Sequence, residues 1–209
     1  MNNQYYILVD NEQSGPFSYD ELTEMELDVH TRVLSPLADT WQDACDLPEF
    51  YPYFESRGIY LPTGDNLASF GWRFLAYVID YVILSFLLNF ILRFLASNGL
   101  KFNLGDYNDL LKMPVKEILL LQLITSITLV LYNSICEASP MKGSLGKKLC
   151  RIVVVDIDGM GLSYLNALLR SVGKAISIFL LYAGFLPILF SEHRQALHDM
   201  IAKTYVVKI

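Results

Sequence analysis

The chain has 209 residues, of which 53% are hydrophobic, with a mean hydropathy of +0.35 and a net charge of −6. That hydropathy argues against an ordinary water-soluble globule or a disordered chain, and the acidic balance argues against nucleic acid as a partner. Its three cysteines, Cys45, Cys136 and Cys150, show no Cys-x-x-Cys or Cys/His ligand spacing, so neither a disulfide framework nor a metal site is expected.

The charge is unevenly spread. Residues 1–58 carry 12 acidic and 2 basic side chains, whereas the rest of the chain is mildly basic. An acidic soluble head therefore precedes a basic membrane part. Three parts are expected: a soluble domain over 1–54, a linker over 55–65 and a membrane domain over 66–209. The start, MNNQYY, is polar and lacks a basic n-region, so an uncleaved cytoplasmic N-terminus is expected.

In the head, Gln4–Val9 reads as a strand, DNEQSG as a turn and Gly15-Pro16 as further punctuation. Ser18 followed by Glu21 forms a capping box that opens a helix. Thr31–Leu37 reads as another strand, and Trp41 opens a last turn of helix before Leu47-Pro48. So small a unit must build its core from aromatics. Tyr5, Tyr6, Phe17 and Trp41 either fill that core or present an aromatic face to a proline-rich peptide. The chain's own LPEFYPYF, Leu47–Phe54, is a candidate ligand for such a face.

Tyr5-Tyr6, Gly15-Pro16-Phe17, the acidic helix, Thr31-Arg32-Val33, Trp41 and Leu47-Pro48-Glu49 together resemble the bacterial GYF-like domain. The resemblance covers most of residues 4–50 and implies peptide binding on an aromatic face.

Three apolar segments follow: Phe74–Leu92, Ile118–Cys136 and Ala175–Phe190. The first two match a hydrocarbon core about 30 Å thick at about 1.5 Å per residue. Trp72 and Arg73 sit where an interface belt is expected, and Asp80 lies seven residues deeper. On the second span Gln122, Ser126 and Asn133 fall on one helical face, the expected neighbour for Asp80. Arg151–Asp156 and Thr204–Lys208 read as two short strands that should pair.

Pairing needs both strands on one side of the bilayer. Counted from Arg57 onward, the Lys and Arg residues divide 11 to 4 if the third segment turns back, and 8 to 7 if it crosses. The first division obeys the positive-inside rule. The expected architecture is an α+β head joined to an α-helical membrane domain with two full spans, a third re-entrant or broken helix and a short β-hairpin.

Arg73 and Ala76 at the helix start, Asp80 within it, Gly143-Ser-Leu-Gly146-Lys147, Val154-Val155-Asp156 with Gly159, Arg170 and Arg194-Gln-Ala-Leu-His198-Asp199 resemble the RDD family of membrane proteins. The resemblance covers roughly residues 66–207. It implies that Arg73, Asp80 and Asp199 are the eponymous residues, and it implies transport at most, including sodium/proton exchange.

Arg73, Asp80, Asp199, Arg170 and His198 form the candidate ion-binding or structural charge cluster, with Asp199 the expected partner of Arg73. The primary expectation is a transport component for a monovalent cation or proton, in an inner membrane and as a homo-oligomer, since so few segments cannot enclose a path. The alternative is a membrane-anchored adaptor whose charge cluster only builds the anchor. No catalytic residue and no cofactor is expected.

Overall fold

The computed structural model describes residues 4–97, 114–179 and 183–209. It divides into two compact units, Met1–Pro62 with Ile157–Met160 and Thr63–Asp156 with Gly161–Ile209.

The first unit is a small antiparallel sheet with helices. Strands β1 (Tyr5–Val9), β2 (Glu12–Phe17), β3 (Arg32–Leu34) and β4 (Gln42–Asp43) lie in the order β2-β1-β3-β4. Asp10 and Asn11, both at positive φ, form the two-residue turn between β1 and β2. Such turns match the twist of paired strands and favour Asp and Asn. The sequence reading of DNEQSG as one long turn is corrected here, because Glu12 onward belongs to β2.

Helix α1 (Tyr19–Glu24) opens with the Ser18 capping box. The Glu21 N–H donates to Ser18 Oγ at 3.3 Å, and the Ser18 N–H donates to Glu21 at 2.7 Å. The strand expected over Thr31–Leu37 is only three residues long, and the turn after Trp41 is β4 followed by a 3-10 turn, Ala44–Asp46.

Leu47–Phe54, the candidate ligand segment, packs into the head's own core. A 3-10 turn (Pro48–Phe50) and helix α2 (Tyr51–Ser56) carry Phe50 and Phe54, both fully buried, into the core beside Tyr5, Ile7, Leu22 and Val33. The Tyr19 and Phe50 rings stack at 5.5 Å and Tyr5 tilts onto Phe50 at the same distance. Tyr5 is therefore a core residue, while Tyr6, Phe17 and Trp41 are half-buried.

The second unit is mostly helical. Helices α3 (Phe70–Ser97) and α4 (Val115–Ala138) contain stretches of 22 and 21 residues long and apolar enough to cross a membrane. Outside one polar stripe on α4 they are apolar on every face, yet only 11% and 6% of their most apolar windows is buried. Phe74, Phe86, Phe90, Leu119, Leu123 and Ile127 all face outward. A core helix of a soluble protein would hide these side chains, so their exposure marks the two helices as candidate membrane spans.

Helix α5 (Leu145–Leu149) precedes β5 (Ile152–Val155), and α6 (Tyr164–Phe179) follows. Helix α6 is inside-out. Arg170, Ser171 and Ser177 are buried, whereas Leu165, Leu169, Val172 and Ile176 are exposed. Beyond it the chain folds back. A Cβ on Gly184 would strike the Ser177 hydroxyl, and the Phe185 ring meets His198 edge-on at 5.1 Å. Helices α7 (Pro187–Phe190) and α8 (Leu197–Ile201) lead into β6 (Tyr205–Lys208), which pairs antiparallel with β5 from Ile152↔Lys208 to Val155↔Tyr205. Among the described residues, the third apolar segment holds the end of α6, a 3-10 turn (Ala183–Phe185) and α7. Part of it, 180–182, lies outside the described residues, as do Lys101 and Lys112 of the charge count.

Candidate functional site

Two of the charged positions singled out in the sequence lie in α3, in its first and third turns, and meet different partners. Asp80 is 4% exposed and is bound by the short loop before α5. Ser144 Oγ donates to its Oδ2 at 2.5 Å. Tyr132 Oη and the Gly146 N–H donate to its Oδ1 at 3.0 and 2.8 Å. Tyr132 Oη in turn accepts the Leu145 N–H at 3.0 Å, and Ser144 caps α5. The carboxylate therefore ties helix α3 to the Gly143–Lys147 run.

The expected neighbour of Asp80 was the stripe on the second span. Asn133 lines the larger cavity of this unit together with Asp80, and Tyr132 beside it bonds Asp80, whereas Gln122, Ser126 and Asn133 also line a crevice of about 100 Å³ with Ser171 and Lys174. Asn133 Oδ1 accepts from Lys174 Nζ at 3.3 Å. Helical spacing shows which residues share a face; it does not show which element lies against that face.

Gly146 sits so close to α3 that a Cβ would overlap the Ala76 carbonyl oxygen and lie 2.9 Å from Asp80 Cγ. Gly146→Ala is expected to lower stability by about 1–3 kcal/mol through overpacking. Thermal melting of the detergent-solubilised protein checks this, with an unchanged midpoint as the contrary result.

Arg73, in the first turn of α3, donates from Nε to the Ala68 carbonyl at 3.1 Å and from Nη1 to Asp199 at 2.5 Å. Asp199 is fully buried at the start of α8, where it also accepts the Ala196 N–H at 3.1 Å. Its other oxygen receives Arg170 Nε and Nη2 at 2.9 and 2.7 Å. Arg170 Nη1 continues to Glu137 at 2.7 Å, and Glu137 pairs with Lys147 and, at 3.4 Å, with Lys174. The result is one chain of alternating charge: Arg73, Asp199, Arg170, Glu137 and the two lysines.

Sequence reasoning missed Glu137 as a centre of this chain. It directly follows the second apolar segment, where a carboxylate reads as an ordinary interface residue. Its position four residues after Asn133, on the same helical face, was the available signal. Of the expected cluster, Arg73, Arg170, His198 and Asp199 come together, and Asp80 stands apart on its own donors.

Burial disfavours the Asp199 carboxylate, but Arg170 and Arg73 outweigh it and hold its pKa below the usual carboxylate range. Burial pushes Lys147 down, with Glu137 acting against it. His198 is pushed down to about 3, chiefly by burial, with Asp199 opposing. It is therefore neutral near pH 7. Its Nε2 lies 3.4 Å from Asp199.

A base with a depressed folded pKa binds fewer protons folded than unfolded between about 3 and its ordinary value of 6.5. Stability is then fully present above pH 6.5 and falls as pH drops through that window. From pH 7.5 to 5.0 the loss is about 2 kcal/mol. Wild-type protein is expected to lose more melting temperature across this range than His198→Gln; equal losses would contradict the assignment.

These residues form one wall of a cavity of about 430 Å³. Arg73, Asp80, Asn133, Lys147, Arg170, Lys174 and His198 supply its polar side, and Phe70, Phe74, Tyr77, Phe185, Leu186 and Leu189 much of the apolar side. Trp72, at the start of α3, lies under the Lys208 ammonium at 5.1 Å. In the first unit His30 lies 3.7 Å from Asp43 and 3.3 Å from Asp158. Ligand atoms of His30, Asp43 and Cys45 lie within 4.8 Å of one another, a grouping that no Cys/His spacing signals.

Residues 67–203 match the family model described as RDD family, and residues 5–50 match GYF domain 2. The chain is also 35% identical over 146 residues to the uncharacterized protein YxaI of Bacillus subtilis (strain 168), covering 67% of this chain and 96% of that relative. No solved structure matches.

Proposed function

The chain belongs to the RDD family, and we propose that it is a multi-pass inner-membrane transport component with its N-terminus in the cytoplasm. In this reading α3 and α4 cross the bilayer, and α6 with α7 forms a re-entrant element that keeps β6 beside β5 on the cytoplasmic side. The observation that carries the reading is the 430 Å³ cavity, with Arg73, Arg170, Lys174 and His198 on its wall.

The nature of the solute follows from charge and satisfaction. Asp80 already accepts three hydrogen bonds and is a poor cation ligand. The cavity and its ion chain hold four bases, Arg73, Lys147, Arg170 and Lys174, against three acids, Asp80, Glu137 and Asp199. One positive charge is in surplus, which favours an anion, and deprotonation of Lys147 would cancel it. Transport is thus of an anionic solute linked to a proton. Two spans cannot enclose a path, so the working form is a homo-oligomer.

Proteoliposomes with a trapped pH dye test this, with sodium and phosphate gradients as separate arms. The wild type is expected to move protons faster than empty vesicles in the phosphate arm, and Lys147→Met to reduce the rate about tenfold. Wild-type rates equal to those of empty vesicles in both arms would retire the transport reading.

The adaptor reading is favoured by a separate observation: the half-buried Tyr6, Phe17 and Trp41 of the head. There the head docks a proline-rich segment and the charge network only holds the anchor. Capture of a proline-rich peptide by the full chain, lost in Trp41→Ala, would support it.

A further inference from the structure

We propose that the cavity of the helical unit is the seat of an anionic phospholipid with a singly charged phosphodiester head, of the phosphatidylglycerol type. The inference rests on the reading of this cavity as the functional site, and it names the occupant.

The polar wall specifies the head. Arg73, Lys147, Arg170 and Lys174 line the cavity. Their N–H groups are donors suited to a phosphate oxygen. The single negative charge of a phosphodiester equals the surplus of one positive charge in the site. Inorganic phosphate meets only the polar wall and therefore binds less tightly, and choline heads lack the net charge.

The apolar wall specifies the tail. Phe70, Phe74, Leu186 and Leu189 line the cavity and are also 40%, 56%, 55% and 58% exposed. They belong at once to the cavity and to the outward apolar surface of the unit, so an acyl chain can leave the cavity along lipid-facing side chains. Trp72 and Lys208, an aromatic and a cation at the start of α3, mark the depth at which headgroups lie. Basic pockets beside membrane helices at the cytoplasmic face bind acidic headgroups by the same physics.

The test uses full-length protein, purified in detergent and delipidated. It is titrated with phosphatidylglycerol, phosphatidic acid, phosphatidylcholine or inorganic phosphate, and bound molecules are counted by native mass spectrometry. One phosphatidylglycerol per chain is expected, bound at least tenfold more tightly than phosphatidylcholine and more tightly than phosphatidic acid. Leu189→Trp, which fills the mouth without touching the ion chain, should weaken binding at least tenfold; Leu123→Trp, outside the cavity, should not. Phe74→Trp replaces Leu189→Trp if that variant does not fold.

Equal affinity for phosphatidylglycerol and phosphatidylcholine, or binding untouched by both plugs, overturns the proposal. Inorganic phosphate binding as tightly as the lipid overturns it in favour of a free anion. Flux separates the two readings. Vesicle transport without selective lipid binding ends this inference alone, whereas selective binding without transport ends the transport reading alone.

Discussion

Asp199→Asn is expected to remove most of the folded protein from the membrane fraction. Asp199 is fully buried and is the shared counter-charge of Arg73 and Arg170. Asparagine keeps the shape but removes the charge, so two guanidiniums remain in a desolvated site with one carboxylate, Glu137, near one of them. Removing one partner from a buried ion pair costs about 3–5 kcal/mol. Native proteins hold only about 5–15 kcal/mol in total. Size-exclusion chromatography of a fluorescent fusion in detergent should show a monodisperse peak at least tenfold smaller than wild type. A wild-type peak would mean that the carboxylate does not balance the arginines.

Glu137→Gln should be of similar severity for a different reason. Glu137 faces three bases, Arg170, Lys147 and Lys174, from the end of α4. Its neutralisation raises the local surplus to two positive charges and leaves two ammonium groups without an acid within reach. A loss of about 3–5 kcal/mol is expected again. Lys174→Met in the same chain should restore part of it, because one unbalanced ammonium is then gone. The exposed head carboxylate Glu12 is the control, and Glu12→Gln should change stability by less than about 0.5 kcal/mol. Equal effects of Glu137→Gln and Glu12→Gln in thermal melting would show that the buried network contributes nothing.

What the sequence disclosed follows the range of each signal. Local chemistry was legible: the Ser18–Glu21 box, the two long apolar helices and the strands that end the chain. The β2 strand was obscured because Gly15-Pro16 lies within it, and such a pair usually marks a turn. The aromatic run Leu47–Phe54 read as a candidate ligand because proline punctuates it, yet burial of Phe50 and Phe54 makes it part of the head's core.

Charge in the helical unit was legible in part. An aspartate inside an apolar helix stands out; a glutamate one residue past an apolar run does not. The sequence pointed to Asp80 as the centre, whereas the ion chain centres on Arg170 between Asp199 and Glu137. Partners 29 and more residues apart, such as Arg170 with Asp199 or Arg73 with Asp199, are fixed by packing that no local pattern encodes.

The account depends on Arg170 and Asp199 forming one buried, mutually balancing unit, and a double-mutant cycle measures that directly. Arg170→Met, Asp199→Leu and the combined variant are unfolded in detergent beside wild type. The expected result is a coupling of at least about 2 kcal/mol, with the double variant no less stable than either single one. Losses that simply add, within about 0.5 kcal/mol, would contradict it.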